Sequence, residues 1–83
     1  MTSPDEYETA AAAIRLFRTS LDRYAAELSE TEAALRQMRD DPPADREARH
    51  RRAVQRVIDL TAATGREMAR ARTILEGLGK EGA

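Results

Sequence analysis

The spacing of apolar residues follows a seven-residue repeat through the whole first half of the chain, which is the pattern typical of coiled-coil helices. When the repeat is lettered a to g, position a holds Tyr7, Ile14, Leu21, Leu28 and Leu35. Position d holds Ala10, Phe17, Tyr24, Thr31 and Met38. The second half continues the repeat less purely, with Glu47, Val54, Thr61, Met68 and Leu75 at a, and His50, Val57, Thr64, Ala71 and Leu78 at d. Two amphipathic helices are therefore predicted.

Capping and turn residues divide the pattern. Ser3 can cap a first helix with Pro4 at its first position, and Asp41-Pro42-Pro43 ends that helix because residues before proline are pushed out of helical geometry. Glycines near the C-terminus favour an end for the second helix: Gly77, Gly79 and Gly82. The predicted single domain 1–83 has helix one at about 4–40, a turn at 41–44 and helix two at about 45–78.

Folding the helices back at the double proline places every position a opposite a position d. Leu28 then faces Val57 and Phe17 faces Met68, and all ten pairs share one register centred between the two prolines. The sequence therefore predicts an all-α fold, an antiparallel two-helix coiled-coil hairpin that assembles into a helical bundle. The structural alternative is one long helix, kinked at the prolines, that dimerises end to end.

Apolar residues outside positions a and d indicate a docking surface. Ala13, Leu16, Leu60 and Ile74 broaden one flank of the predicted hairpin, with Leu60 and Ile74 at position g. We expect this flank to bind a second hairpin or a larger protein, because so small a core favours oligomerisation. The alternative is that single exposed aliphatic residues are ordinary on helices.

Polar residues interrupt the middle of the predicted seam. Thr31, Thr61 and Thr64 gather there with Tyr24. Such a layer can fix the register at some cost in stability, or each threonine can simply bond to its own helix.

A basic stretch, residues 46–56, is the one local feature that suggests binding beyond helix packing. Glu32 of helix one faces Arg51, so pairing with helix one explains part of this charge. Three arginines remain on outer positions and are candidates for contact with nucleic acid or an acidic partner: Arg49, Arg52 and Arg56. The slightly acidic chain (pI about 5.8) and the absence of interleaved aromatic residues make nucleic acid the alternative rather than the first hypothesis.

Composition limits the chemistry. The chain has no cysteine and a single histidine, His50, which lies beside the bend without other ligands at helical spacing. No catalytic triad, phosphate-binding glycine loop or convergent carboxylate pair can be assembled, so we expect a non-enzymatic protein without metal or cofactor. The polar start from Met1 and Thr2 and the lack of a long apolar stretch predict a cytoplasmic protein without a membrane segment.

In shape, the predicted hairpin resembles the small secreted helical hairpins of the WXG100 class, although its bend reads Asp41-Pro42-Pro43-Ala44 and has no Trp-x-Gly. The richness in Ala and Arg is typical of a GC-rich bacterial genome. The first hypothesis is an adaptor, scaffold or small regulatory subunit that forms a homo-oligomer, preferably a dimer, or binds a larger protein. A nucleic-acid-binding accessory protein and a secreted WXG100-like hairpin are the alternatives.

Overall fold

The computed structural model describes residues 3–81, with side chains described as far as Gly79. Met1, Thr2 and Gly82, which entered the expectations for the two ends of the chain, lie outside the described residues. Helix α1 spans Pro4–Asp40 and helix α2 spans Arg46–Glu81, and the two pack against each other as a hairpin. The all-α prediction is confirmed, since the described part of the chain contains no strand.

The first helix begins and ends at the residues whose chemistry suits those places. The Ser3 hydroxyl accepts a hydrogen bond of 3.3 Å from the Glu6 amide, which satisfies one of the free donors of the first turn. Asp5 and Glu6 place negative charge at the positive end of the helix dipole. At the other end the backbone of Asp41 leaves helical geometry (φ −138°, ψ 78°), as expected of a residue before proline.

The second helix begins at Arg46, whose amide donates to the Pro43 carbonyl at 3.2 Å. It runs to Glu81, beyond the predicted end at about residue 78. Gly77 and Gly79 do not end it, because neither adopts the positive φ that is typical of a glycine at a helix C-terminus. Glycine at these exposed positions weakens the helix without stopping it.

The hairpin is a rod, with principal extents of 63 × 15 × 14 Å. Its radius of gyration is 18.7 Å, whereas a compact domain of this length has about 12 Å. Because the rod consists of two helices, each helix packs against only one other. Most of its surface is therefore open to solvent.

The register agrees with the sequence prediction at the middle of the rod. The hydroxyls of Tyr24 and Thr61, one of the ten predicted pairs, lie 2.6 Å apart. Leu28 and Val57, another pair, are both half-buried. Position d lies at the centre of the contact, since every described d residue from Ala10 to Met38 is at least partly buried.

The prediction that position a of α1 also lies in the seam is wrong for its first three residues. Tyr7, Ile14 and Leu21 are 68%, 51% and 46% exposed, whereas Ala13 and Ser20 at position g are only 3% and 1% exposed. Positions g, d and a follow one another at steps of about 60° around a helix, so d pairs equally well with either neighbour. Small side chains at position g let the helices approach closely on that side. Each helix is therefore rotated about its own axis so that position g enters the seam in place of position a.

Candidate interaction surface

The roll of the helices leaves a row of large apolar side chains facing solvent. On α1 it consists of Tyr7, Ile14 and Leu21, which are spaced by two helical turns, about 10.5 Å. On α2, Val54 and Ile58 are 41% and 55% exposed. We call these five residues the apolar flank.

Both parts of the apolar flank lie on the same side of the rod, because positions a and e of the two helices border the same side of the seam in an antiparallel hairpin. Near the bend, an open groove of about 790 Å³ is lined by Leu35 of α1 together with Glu47 and Val54 of α2, all of them at position a. Another groove is lined by Glu27 and Leu60, both at position g, which is the other edge of the seam. Position a of both helices therefore opens on one side, and position g of both on the other.

The four predicted docking residues lie on or next to the g side, and the structure divides them. Ala13 is 3% exposed and packs inside the hairpin, while Leu16 and Leu60 are half-buried. Ile74 is 38% exposed. The apolar flank itself was missed at the sequence level, although the small residues at position g, Ala13 and Ser20, were the signal that could have revealed it.

A polar cluster closes the middle of the g side. The Ser20 hydroxyl donates to Glu67 Oε2 at 2.6 Å, and Arg23 Nη2 donates to both oxygens of the same carboxylate at 2.7 and 2.6 Å. The hydrogen bond from Ser20, and then that from Arg23, holds the pKa of Glu67 below its ordinary value of 4.5. Among the described residues, Arg23–Glu67 is the one salt bridge that joins the two helices. The cluster therefore fixes the alignment of α1 against α2.

The predicted threonine layer combines both of its alternatives. Thr31 and Thr61 donate to the carbonyls four residues earlier in their own helices, at 2.9 and 2.8 Å. Because the Thr61 proton is used in this way, its oxygen accepts from the Tyr24 hydroxyl across the seam. Thr64 is 5% exposed. Of these three threonines, only Thr61 has a hydrogen bond to the other helix among the described residues.

Two arginines of the basic stretch lie beside an acid at the start of their own helix. Asp45 accepts a hydrogen bond of 2.8 Å from Arg49 Nε and lies 3.9 Å from Arg52 Nη2. The Arg49 hydrogen bond lowers the pKa of the Asp45 carboxyl. The expected facing pair of Arg51 and Glu32 does not form a salt bridge, because Glu32 bonds to Arg36 in its own helix.

Arg52 and Arg56, two of the three candidate contact residues, share their grooves with acids. They line one groove with Glu30 and another with Glu27 and Asp59. The side of the rod on which they lie therefore carries both charges and is not a continuous basic surface.

His50 is exposed and lines the groove at the bend beside Glu47. Within residues 3–79, whose side chains are described, no three potential ligands cluster as a metal site would require. Neither described helix has an apolar stretch long enough to cross a bilayer. Comparison of the chain with family models, curated proteins and solved structures gave no match.

Proposed function

We propose that this chain is a non-enzymatic protein–protein interaction module, which acts by burying its apolar flank against another helical surface to form a coiled-coil or helical bundle. The exposed apolar flank is the observation that carries the proposal. Of the six exposed large apolar side chains among the described residues, these five lie along one side of the rod and only Ile74 lies on the g side, whereas single exposed aliphatic residues would be scattered around both helices.

The interior of the hairpin supports the same conclusion. Among the described residues, the fully buried hydrophobic side chains are Ala13 and Ala71, the smallest available. Burial stabilises by about 0.8 kcal/mol for each CH₂ group, so two alanines contribute little. The larger apolar side chains remain partly or largely in water, and burying them against a partner is the strongest stabilisation still open to the fold.

The surface area gives the scale of what a partner can cover. The chain exposes 6655 Å², whereas a compact protein of 9.2 kDa exposes about 4900 Å². The difference is roughly 1,700 Å². A specific interface takes about 800 Å² from each partner, so the rod has ample surface for one.

Nucleic-acid binding through Arg49, Arg52 and Arg56 is less well supported. Two of these arginines already lie beside Asp45, and the third shares its grooves with acidic side chains. Phosphate contact would have to replace these neighbours. Removal of the Asp45 carboxylate would test this alternative directly.

The proposal is tested by photo-crosslinking in the cells that express the protein. Ala25 and Ala26 are adjacent, small and exposed, which makes them a matched pair of sites for a photoreactive amino acid. Ala25 lies about 40° around α1 from the row of Leu21, whereas Ala26 lies about 140° from it. We expect protein adducts from Ala25 and not from Ala26. Equal yields from both sites, or none from Ala25, would contradict the proposed function.

A further inference from the structure

We infer that the protein which covers the apolar flank is a second copy of this chain, packed antiparallel about a twofold axis that passes beside Ala25. The inference rests on the proposed function and names its partner. Two hairpins then form a four-helix bundle in which α1 faces α1 and α2 faces α2. Three independent observations place the axis at the same level of the rod.

The first observation is the charge along position e of α1, which borders the apolar flank. This row reads Ala11, Arg18, Ala25, Glu32 and Arg39, and all five residues are exposed. In an antiparallel pair centred on Ala25, Arg18 of each copy meets Glu32 of the second copy. A parallel pair, whose twofold axis would run along the rod, would instead set α1 against α2 and would form no Arg18–Glu32 pairs between the copies.

The second observation is the charge on α2. Glu47 and Arg72, both exposed at positions a and e, have their midpoint at residue 59 or 60. The register that joins Tyr24 to Thr61 places residue 60 opposite Ala25. The axis beside Ala25, which was placed from the charges of α1 alone, therefore also sets Glu47 of each copy against Arg72 of the other. The intrahelical pairs that Glu32 and Arg72 now make, with Arg36 and Glu76, are exposed and weak enough to be exchanged.

The third observation is complementarity of shape between the two ends of the rod. Tyr7 and Ile14 project at the open end, where they are the most exposed large apolar residues of α1. The open groove of about 790 Å³ lies at the bend end and is lined by Leu35, Met38 and Val54. About the same axis, Ile14 of each copy falls beside Leu35 of the other. The projecting end of each hairpin thus enters the groove of the other, which gives two equivalent contacts.

A second copy is also a rod of 63 Å, so it is long enough to cover the whole apolar flank. The surface in excess of a compact protein, roughly 1,700 Å² per chain, exceeds the 800 Å² or so that a standard interface takes from each partner. The interface is isologous, so it closes at two copies and does not propagate into a filament.

The direction of packing is tested by cross-linking through introduced cysteines, since the chain has none of its own. Ala25→Cys lies at the axis, and we expect a short bis-maleimide or oxidation to join it into a covalent dimer. Ala11→Cys, in the same row, is the control, because an antiparallel dimer holds its two copies about 42 Å apart. Efficient cross-linking of both variants would show that the two α1 helices do not pair in the single antiparallel register, and cross-linking of neither would show that they do not pair at all. Either result overturns the inference.

The charge pattern is tested with reversed variants measured by analytical ultracentrifugation. Arg18→Glu and Glu32→Arg should each raise the Kd of the homodimer about tenfold, and an equal mixture of the two should dimerise as the wild type does. Arg66→Glu makes the same change of charge on an outer position of α2 and should leave the Kd unchanged. A mixture no tighter than the single variants would overturn the inference.

The outcomes separate this inference from the proposed function. Photo-adducts from Ala25 to a different protein, with a monomer in ultracentrifugation, would overturn the second copy as partner and leave the interaction module standing. Absence of any adduct at Ala25 would overturn both. Adducts of twice the chain mass, with dimers that link only through Ala25→Cys, support both.

Discussion

The Ser20 hydroxyl lies 2.6 Å from Oε2 of Glu67, and this bond joins the middle of α1 to the middle of α2. Ser20 is 1% exposed, so no water can replace the carboxylate as its acceptor without opening the seam. Arg23 holds the same carboxylate from the solvent side. A slip of either helix along the other would break all of these bonds together, and the cluster therefore specifies one alignment.

The Glu67 carboxylate makes the stability of the hairpin depend on pH. Its pKa in the folded state lies below the ordinary 4.5, so the ionised form is favoured by folding. The stabilisation is fully present above pH 4.5 and is lost as the pH falls through the folded pKa. We expect Glu67→Gln to be less stable than the wild type at pH 7 and to approach it on acidification, as measured by urea unfolding across that range.

Asp22→Asn serves as the control, since Asp22 is an exposed carboxylate of α1 with no hydrogen bond to α2 within the described part of the chain. Its unfolding should follow the wild type at each pH. A constant difference between wild type and Glu67→Gln from neutral to acid pH would show that the carboxylate adds nothing through its charge.

Because the helices approach closely near the open end of the hairpin, a larger side chain at the seam there should lower the free energy of unfolding. Ala71 is 0% exposed and Ala13 only 3% exposed, in a part of the seam where no larger side chain is fully buried. Ala71→Leu should lower the free energy of unfolding by about 1–3 kcal/mol, because the helices must move apart to accommodate it. Ala69→Leu, on an exposed position of the same helix, should change it by less than about 0.5 kcal/mol.

Both variants are to be compared by urea unfolding at one protein concentration, since association would add to the stability of each. Equal effects at the two positions would contradict the tight packing at Ala71.

Removal of the Asp45 carboxylate should change how the basic stretch binds anions. Because Asp45 binds Arg49 and lies beside Arg52, Asp45→Asn should release both guanidinium groups to bind phosphate. We expect stronger binding to heparin or single-stranded DNA, with the slope of log affinity against log salt steeper by about 0.7–0.9 for each further phosphate that is neutralised. Asp22→Asn makes the same change of charge on an exposed position of α1 and should have little effect. Tight, salt-dependent binding by the wild type itself would favour the nucleic-acid alternative over the interaction module.

The local features of the fold could be predicted because their causes lie close together in sequence. The Ser3 cap and Pro4 place the start of α1, and Asp41 before two prolines places its end. The end of α2 was less predictable, because Gly77 and Gly79 weaken an exposed helix but nothing turns their φ positive. The pairing of Tyr24 with Thr61 followed from periodicity together with the position of the turn.

Two long helices, one sharp turn and one register follow from the amino-acid sequence, since these depend on backbone geometry and on a repeat of seven. Which side of the apolar stripe is buried depends on how the two helices pack. Positions g and a lie at equal angles on either side of d, so periodicity alone cannot choose between them. Position g is the buried side because the small residues Ala13 and Ser20 let the helices come close there, while Ile14 and Leu21 would hold them apart.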